Sequence, residues 1–227
     1  MKQKHLTFFI CLISFPLCVK GQWKLGVTGG ADYNIYSINN HYMIDWHYKG
    51  AWGGLAGIMA QYDLNSWFGI RGDLNWAMKS HKQYRTGLLS NTNFRLENHY
   101  IQFPIMASFN FGGERIRGIL NIGGYGAYWL SSYFNGKMAI NIDYTAIVSG
   151  GFQNYTSLEF VDKRDNRFDC GFVLGIGVDW NFSRHWGAQV EARCYYSTLS
   201  TQKDYMLIKD PKYNTTLALQ FATYYLF

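Results

Sequence analysis

The closing fifteen residues, Tyr213 to Phe227, alternate between two kinds of side chain. Leu217, Leu219, Phe221, Tyr225 and Phe227 fall on one face, and Asn214, Thr216, Ala218, Gln220 and Ala222 on the other. A period of two over this length describes a β-strand with one apolar and one polar or small face, and no helix reproduces it. The same pattern recurs three times. Phe172, Leu174, Ile176, Val178, Trp180 and Phe182 oppose a set containing Gly175, Gly177 and Asp179; Ala188, Val190, Ala192 and Cys194 oppose Gln189, Glu191 and Arg193; Phe68, Ile70, Leu74, Trp76 and Met78 oppose Arg71, Asp73, Asn75 and Lys79.

Extending the pattern gives strands at about 23–36, 50–63, 67–79, 97–111, 116–131, 168–182, 186–198 and 213–227. Short turns at 64–66, 112–114 and 183–185 alternate with long polar connections at 37–49, 80–96, 132–167 and 199–212. Eight antiparallel strands with turns alternately short and long is the plan of an up-and-down transmembrane β-barrel, with short periplasmic turns and long extracellular loops. The runs 138–147 and 152–160 predict an outer hairpin in the longest loop, or alternatively a ten-stranded barrel.

Composition decides which face is outward. Only 16% of the residues are charged, against about 25% in an average soluble domain, while 19% are aromatic. Disorder is excluded by that aromatic content. A helical membrane protein is excluded too, because no apolar run after residue 21 approaches the roughly 20 residues a spanning helix needs. A soluble barrel hides its apolar face and a membrane barrel reverses this, so the placement of aromatics discriminates. Trp23, Trp67, Phe68, Phe111, Trp180, Phe182, Trp186, Tyr225 and Phe227 fall near the short-turn ends. Tyr36, Trp52, Trp76, Tyr128, Trp129, Phe168, Tyr195, Tyr196 and Tyr213 fall near the long-loop ends. Two such rings are the girdles expected on either side of an apolar band roughly 25 Å tall. Pro104 lacks a ladder donor and is expected at a bulge or other irregularity.

Residues 1–21 have the three parts of a secretory signal peptide: Lys2 and Lys4, an apolar stretch from Leu6 to Val19, and Val19-Lys20-Gly21 at the cleavage region. A lipoprotein reading centred on Cys18 is weakened by Leu17, where a small residue is expected. Residues 22–227 then form the barrel domain, exported to the cell outer membrane. Removing the leader takes Lys2, Lys4 and Lys20 and no acid, so half of the formal +6 charge leaves with it. Of the four cysteines, Cys170 and Cys194 persist, and the strand register holds them too far apart for a disulfide.

Several of these strands resemble the PorT-like outer-membrane β-barrel family of Gram-negative bacteria. Tyr100 to Pro104 matches its Tyr-x-x-x-Pro strand, Gly123-Gly124 its Gly-Gly strand, Gly175-x-Gly177 its Gly-x-Gly strand, and Glu191, Arg193 and Tyr195 its strand with an acid, an arginine and a tyrosine. The resemblance implies, for some members, a supporting role in protein secretion. Gln220, Tyr225 and terminal Phe227 resemble the assembly signal read by the outer-membrane insertion machinery, with Ala222 where glycine is usual.

Candidate sites follow from parity. Lys24, Asp32, Arg71, Asp73, Asp179, Glu191 and Arg193 share the polar face and point into the lumen, which eight strands leave just wide enough for side chains to fill. Buried charges must pair, so the expectation is a structural plug in which Lys24, Arg71 and Arg193 meet Asp32, Asp73, Asp179 and Glu191. Such a plug admits no substrate, and no catalytic, cofactor or metal set is expected. His41, His47, His81 and His99 lie in or beside two loops without diagnostic ligand spacing. Ser183 and His185 keep a lipid-A-modifying enzyme as a minor alternative. Lys79, Lys82, Arg85 and Arg95 form a cationic rim suited to lipopolysaccharide phosphates. Residues 132–167 are the expected partner-binding element, for a secretion component or a surface ligand. No basic, aromatic-interleaved stripe supports nucleic-acid binding.

Overall fold

The computed structural model describes residues 22–38, 45–87, 90, 92–143, 146–203 and 211–227, with 138–143 and 146–155 described by backbone alone. The expected leader and His41 lie outside the described residues. Nine strands are present among these residues: β1 (Gln22–Ile38), β2 (Trp46–Asp63), β3 (Phe68–Arg85), β4 (Asn93–Gly112), β5 (Ile116–Asp143), β6 (Ala146–Ser157), β7 (Phe168–Asn181), β8 (Trp186–Ser197) and β9 (Lys212–Leu226). All pairings between them are antiparallel.

Eight strands close a ring in the order β1-β2-β3-β4-β5-β7-β8-β9, with β9 returning to β1 over fifteen residue pairs from Lys24↔Leu226 to Ile38↔Lys212. The ninth strand stays outside the ring. β7 pairs with the lower half of β5, up to Tyr128, and β6 pairs with its upper part from Tyr133 onward. The eight-stranded reading therefore holds, and the ten-stranded alternative does not. The outer hairpin reverses between Asp143 and Ala146, inside the run expected to be its first strand, while Asn135-Gly136, a dipeptide typical of hairpin turns, lies within β5. Gly136 has φ +145° where the β5–β6 register shifts, a conformation L side chains rarely adopt.

Much of what reads as loop is strand. β3 runs to Arg85 and β4 begins at Asn93, so the polar segment 80–96 is a hairpin that carries the wall upward. At the other end the turns are short: Leu64 and Asn65 both donate backbone N–H groups to the Phe68 carbonyl, and Asn65 caps Trp67 and Phe68.

The faces are those of an inside-out protein. Leu25, Val27, Ile58, Ile70, Leu74, Ile105, Ile122, Leu174, Ile176, Val178, Leu219 and Phe221 are exposed in a continuous outer band. Trp23, Trp67, Phe111, Trp180, Phe182, Trp186 and Phe227 rim it below, and Trp52, Trp76, Tyr128, Phe168 and Tyr196 above. Three residues expected in the upper ring are interior instead. Tyr36 stacks on His81 at 4.1 Å, Tyr195 accepts a hydrogen bond from Arg193, and Trp129 stacks on buried Tyr100 at 5.8 Å. Tyr128 and Trp129 are adjacent, so only one can face out. A bulge between His99 and Tyr100 leaves Leu130 unpaired and reverses the parity above it. Pro104 sits at no bulge: it pairs with Tyr125, and opposite it the β3–β4 ladder is interrupted at Asp73 and Leu74. Cys170 and Cys194 are free thiols, with Cys194 opposite Leu174 as the register requires.

Candidate functional site

Among the described residues the ion pairs buried in the lumen fall into three tiers. In the lowest, Lys24 Nζ lies 3.1 Å from Asp63 Oδ2 and 3.0 Å from Asp179 Oδ2. The Tyr224 hydroxyl donates to Asp179, and Gln61 Nε2 donates to Asp63 at 2.6 Å. In the middle tier two arginines and two carboxylates form a closed square. Arg71 reaches Asp73 at 2.9 Å and Glu191 at 3.3 Å; Arg193 reaches Asp73 at 2.6 Å and Glu191 at 2.8 Å. Asn121 Nδ2 donates to the second Glu191 oxygen at 2.7 Å. In the upper tier Lys79 Nζ lies 2.9 Å from Asp169 Oδ2, between the rings of Tyr100 and Tyr125 at 4.8 and 5.1 Å, and Ser197 Oγ donates to Asp169.

Two glycines make the space. An added Cβ at Gly175 would strike the Glu191 carboxylate, and one at Gly187 would strike the Tyr224 ring and hydroxyl.

All seven predicted lumenal residues are interior, and six of them pair. Asp32 is the exception: it is buried, and neither carboxylate oxygen has a hydrogen-bond partner among the described residues. The expected pairing with Lys24 or an arginine does not form, because those cations sit in the lower tiers. Lys79 also departs from expectation. It is not on the rim but fully buried, since it continues the inward parity of Arg71, Asp73, Asn75 and Ala77. Sequence reasoning missed Asp63 and Asp169 as network members. Both stand at strand ends, where a parity argument has no following residues to lean on.

Above the tiers the lumen is stoppered. Asn34 Nδ2 donates to Asn214 Oδ1 at 3.1 Å, and Thr216 donates to Asn34 Oδ1 at 2.8 Å. Tyr36 bonds Thr201 at 2.9 Å. His81, five residues beyond the Trp76 belt, stays neutral because burial, with Lys212 nearby, pushes its imidazole down to about 3. In the loop that follows β6, burial raises the Asp165 carboxyl, but the Arg164 side chain and the Val161 amide overcome that and hold it below its usual range.

On the outside, the register sets Lys49, Lys82 and Arg95 side by side across β2, β3 and β4, beyond the belt of Trp52 and Trp76. Lys49 and Lys82 are exposed; Arg95 donates to the Trp52 carbonyl at 2.6 Å and pairs with Glu97 at 3.0 Å. Arg85 lies over the Trp46 ring at 5.1 Å. At the opposite end His185 donates through Nδ1 to the Leu226 carbonyl at 3.3 Å and stacks on Tyr225, with Trp186 and Phe227 packed on the same ring. Of the terminal triplet, Gln220 is lumenal while Tyr225 and Phe227 belong to the lower belt.

A family model described as the outer membrane protein beta-barrel domain matches residues 7–221. No curated protein matches the sequence. Among solved structures, the outer membrane protein OprG from Pseudomonas aeruginosa is similar at TM-score 0.52 and 10% identity, covering 91% of this chain and 96% of that one. The attachment invasion locus protein Ail of Yersinia pestis aligns at TM-score 0.42 and 12% identity over 90% of this chain and 99% of that one. AlkL, determined in DMPC bilayers, aligns at TM-score 0.45 and 9% identity over 92% and 91%. At these identities the likeness to OprG speaks for the fold alone.

Proposed function

Because the chain belongs to the outer membrane protein β-barrel domain family and resides in the cell outer membrane, we propose that it is a non-enzymatic interaction protein, a sealed anchor that holds a docking wall above the outer leaflet. The observation that carries this reading is the contrast between the ends of β5. Its lower half closes a lumen filled by ion pairs, while Leu130–Asp143 continues beyond the Tyr128 belt for roughly 45 Å along the strand. A spanning strand needs only about 9–11 residues. The length beyond that serves nothing inside the membrane. β6 adds to this wall, and among the described residues it pairs with β5 alone, so its other edge offers unpaired main-chain groups of the kind that recruit an extended segment.

The partner class we favour is protein, a secretion component as the PorT-like resemblance implies, or a surface ligand. Replacing residues 132–167 with a short turn should leave an inserted, heat-modifiable barrel and abolish protein crosslinks captured in intact cells. Crosslinks unchanged by the deletion would refute the docking wall. Expression should leave the mass of lipid A unaltered, as befits a Ser183–His185 turn whose histidine is committed to Leu226 and Tyr225.

Lys49, Lys82 and Arg95 further support contact with lipopolysaccharide phosphates, with Arg85 beside them and Lys79 withdrawn into the lumen. Each cation near an anionic membrane surface contributes about 1 kcal/mol. The pair Lys49→Gln, Lys82→Gln should therefore weaken retention of lipopolysaccharide by the purified barrel about 10- to 30-fold. Equal retention would remove this contact. The insertion machinery would read Gln220, Tyr225 and Phe227 before folding, since Gln220 is afterwards enclosed.

A further inference from the structure

The tiers of the lumen do not carry equal charge. The middle tier balances, with Arg71 and Arg193 against Asp73 and Glu191. The lowest sets Lys24 against Asp63 and Asp179, with half-buried Arg117 directly opposite Asp179 in the register at the periplasmic mouth. Among the described residues the upper tier has one cation, Lys79, for two carboxylates, Asp169 and Asp32. The Lys79 ammonium is held at 2.9 Å by Asp169, while neither Asp32 oxygen has a hydrogen-bond partner among the described residues. His81, one inward step above Lys79, is neutral, and Lys212 is level with Ile38, far above Asp32 on the same pair of strands. An uncompensated buried charge is too costly to keep, so this tier calls for one more positive charge.

The surroundings of Asp32 suit a small ion. Its carboxylate borders a cavity of about 10 Å³, room for one water-sized sphere, lined also by Asn75, Gln102, Tyr195, Thr216 and Gln220. Both Gln220 side-chain polar atoms are buried without a partner among the described residues, as are both Asp32 oxygens. Thr216 donates its hydroxyl proton to Asn34, which leaves its oxygen lone pairs for a cation. Carboxylate, amide and hydroxyl oxygens are the ligands of hard cations. Neutralising a single excess charge in so small a space selects a monovalent ion the size of sodium. A divalent ion would overshoot the balance. We propose that the barrel binds one sodium ion in the upper lumen, held by Asp32 with oxygens of Gln220 and Thr216.

Thermal unfolding of the full barrel in detergent micelles tests this, in sodium chloride against choline chloride at matched ionic strength. At sodium concentrations about tenfold above the dissociation constant, the midpoint should rise about 3–6 °C, saturably. The rise should vanish in Asp32→Asn, which removes the excess charge. Equal midpoints in the two salts, or a sodium shift that persists in Asp32→Asn, would overturn the proposal. Infrared spectroscopy of the unaltered protein gives a second reading that needs no variant. A protonated-carboxyl band present in sodium chloride would show that a proton, not sodium, fills the deficit, and would equally overturn it.

Discussion

Arg193→Met should destabilise the barrel by about 3–5 kcal/mol, the cost of removing one partner from a buried ion network. Arg193 bridges Asp73 at 2.6 Å and Glu191 at 2.8 Å, so its loss leaves two buried carboxylates to Arg71 alone. Methionine fills similar space without charge, which separates the electrostatic cost from a cavity. Adding Glu191→Gln should recover a large part of the loss, because it removes the surplus anion while the glutamine carbonyl can still accept from Asn121. The measurement is urea unfolding in micelles, followed by the heat-modifiable gel shift. A loss below about 1 kcal/mol, as for a solvated surface pair, would mean that the middle tier is open to water.

The second large effect is on the outer face. Ile176 is 66% exposed in the middle of the apolar band, opposite Leu120 and Ala192. If that face meets lipid, Ile176→Arg should cost about 2–4 kcal/mol, the penalty for a cation near the bilayer midplane. If it met water, the same change would fall within about 0.5 kcal/mol, as at ordinary surface positions. Leu158→Arg is the matching control, since Leu158 is exposed but lies just beyond β6. It should be neutral. Equal tolerance of arginine at both positions would contradict the lipid-facing assignment.

The ring of eight strands and the inward set of charges were legible because both follow from a period of two, and lipid on one side of a strand makes that period unusually clean. Leu217, Leu219 and Phe221 are exposed, and Ala218, Gln220 and Ala222 are buried, as the alternation requires. What stayed hidden has physical causes. Above the membrane the outer face turns polar, so the apolar outer band that marks a strand below disappears, and residues 80–85 and 93–96 read as loop although they pair in register. Lys79 fell on that boundary; following its parity from Arg71 through Ala77 would have placed it inside. Trp129 was misplaced although it continues the inward parity of Tyr125 and Ala127, because its neighbour Tyr128 had been given the same side; the unpaired Leu130 reverses the parity only of what lies beyond it. Which lumenal charges meet was not legible at all. Arg71 and Glu191 lie 120 positions apart, and the stagger of the closed ring, not local sequence, brings them together.

The inside-out arrangement is tested most directly by nitroxide labels placed one at a time from residue 217 to 222 in the bilayer-reconstituted barrel, with Cys170 and Cys194 replaced by serine. Collision with lipid-soluble oxygen should be high at 217, 219 and 221 and low at 218, 220 and 222. Uniform accessibility along the strand, or access by a water-soluble relaxant at 217, 219 and 221, would contradict a lipid-facing barrel.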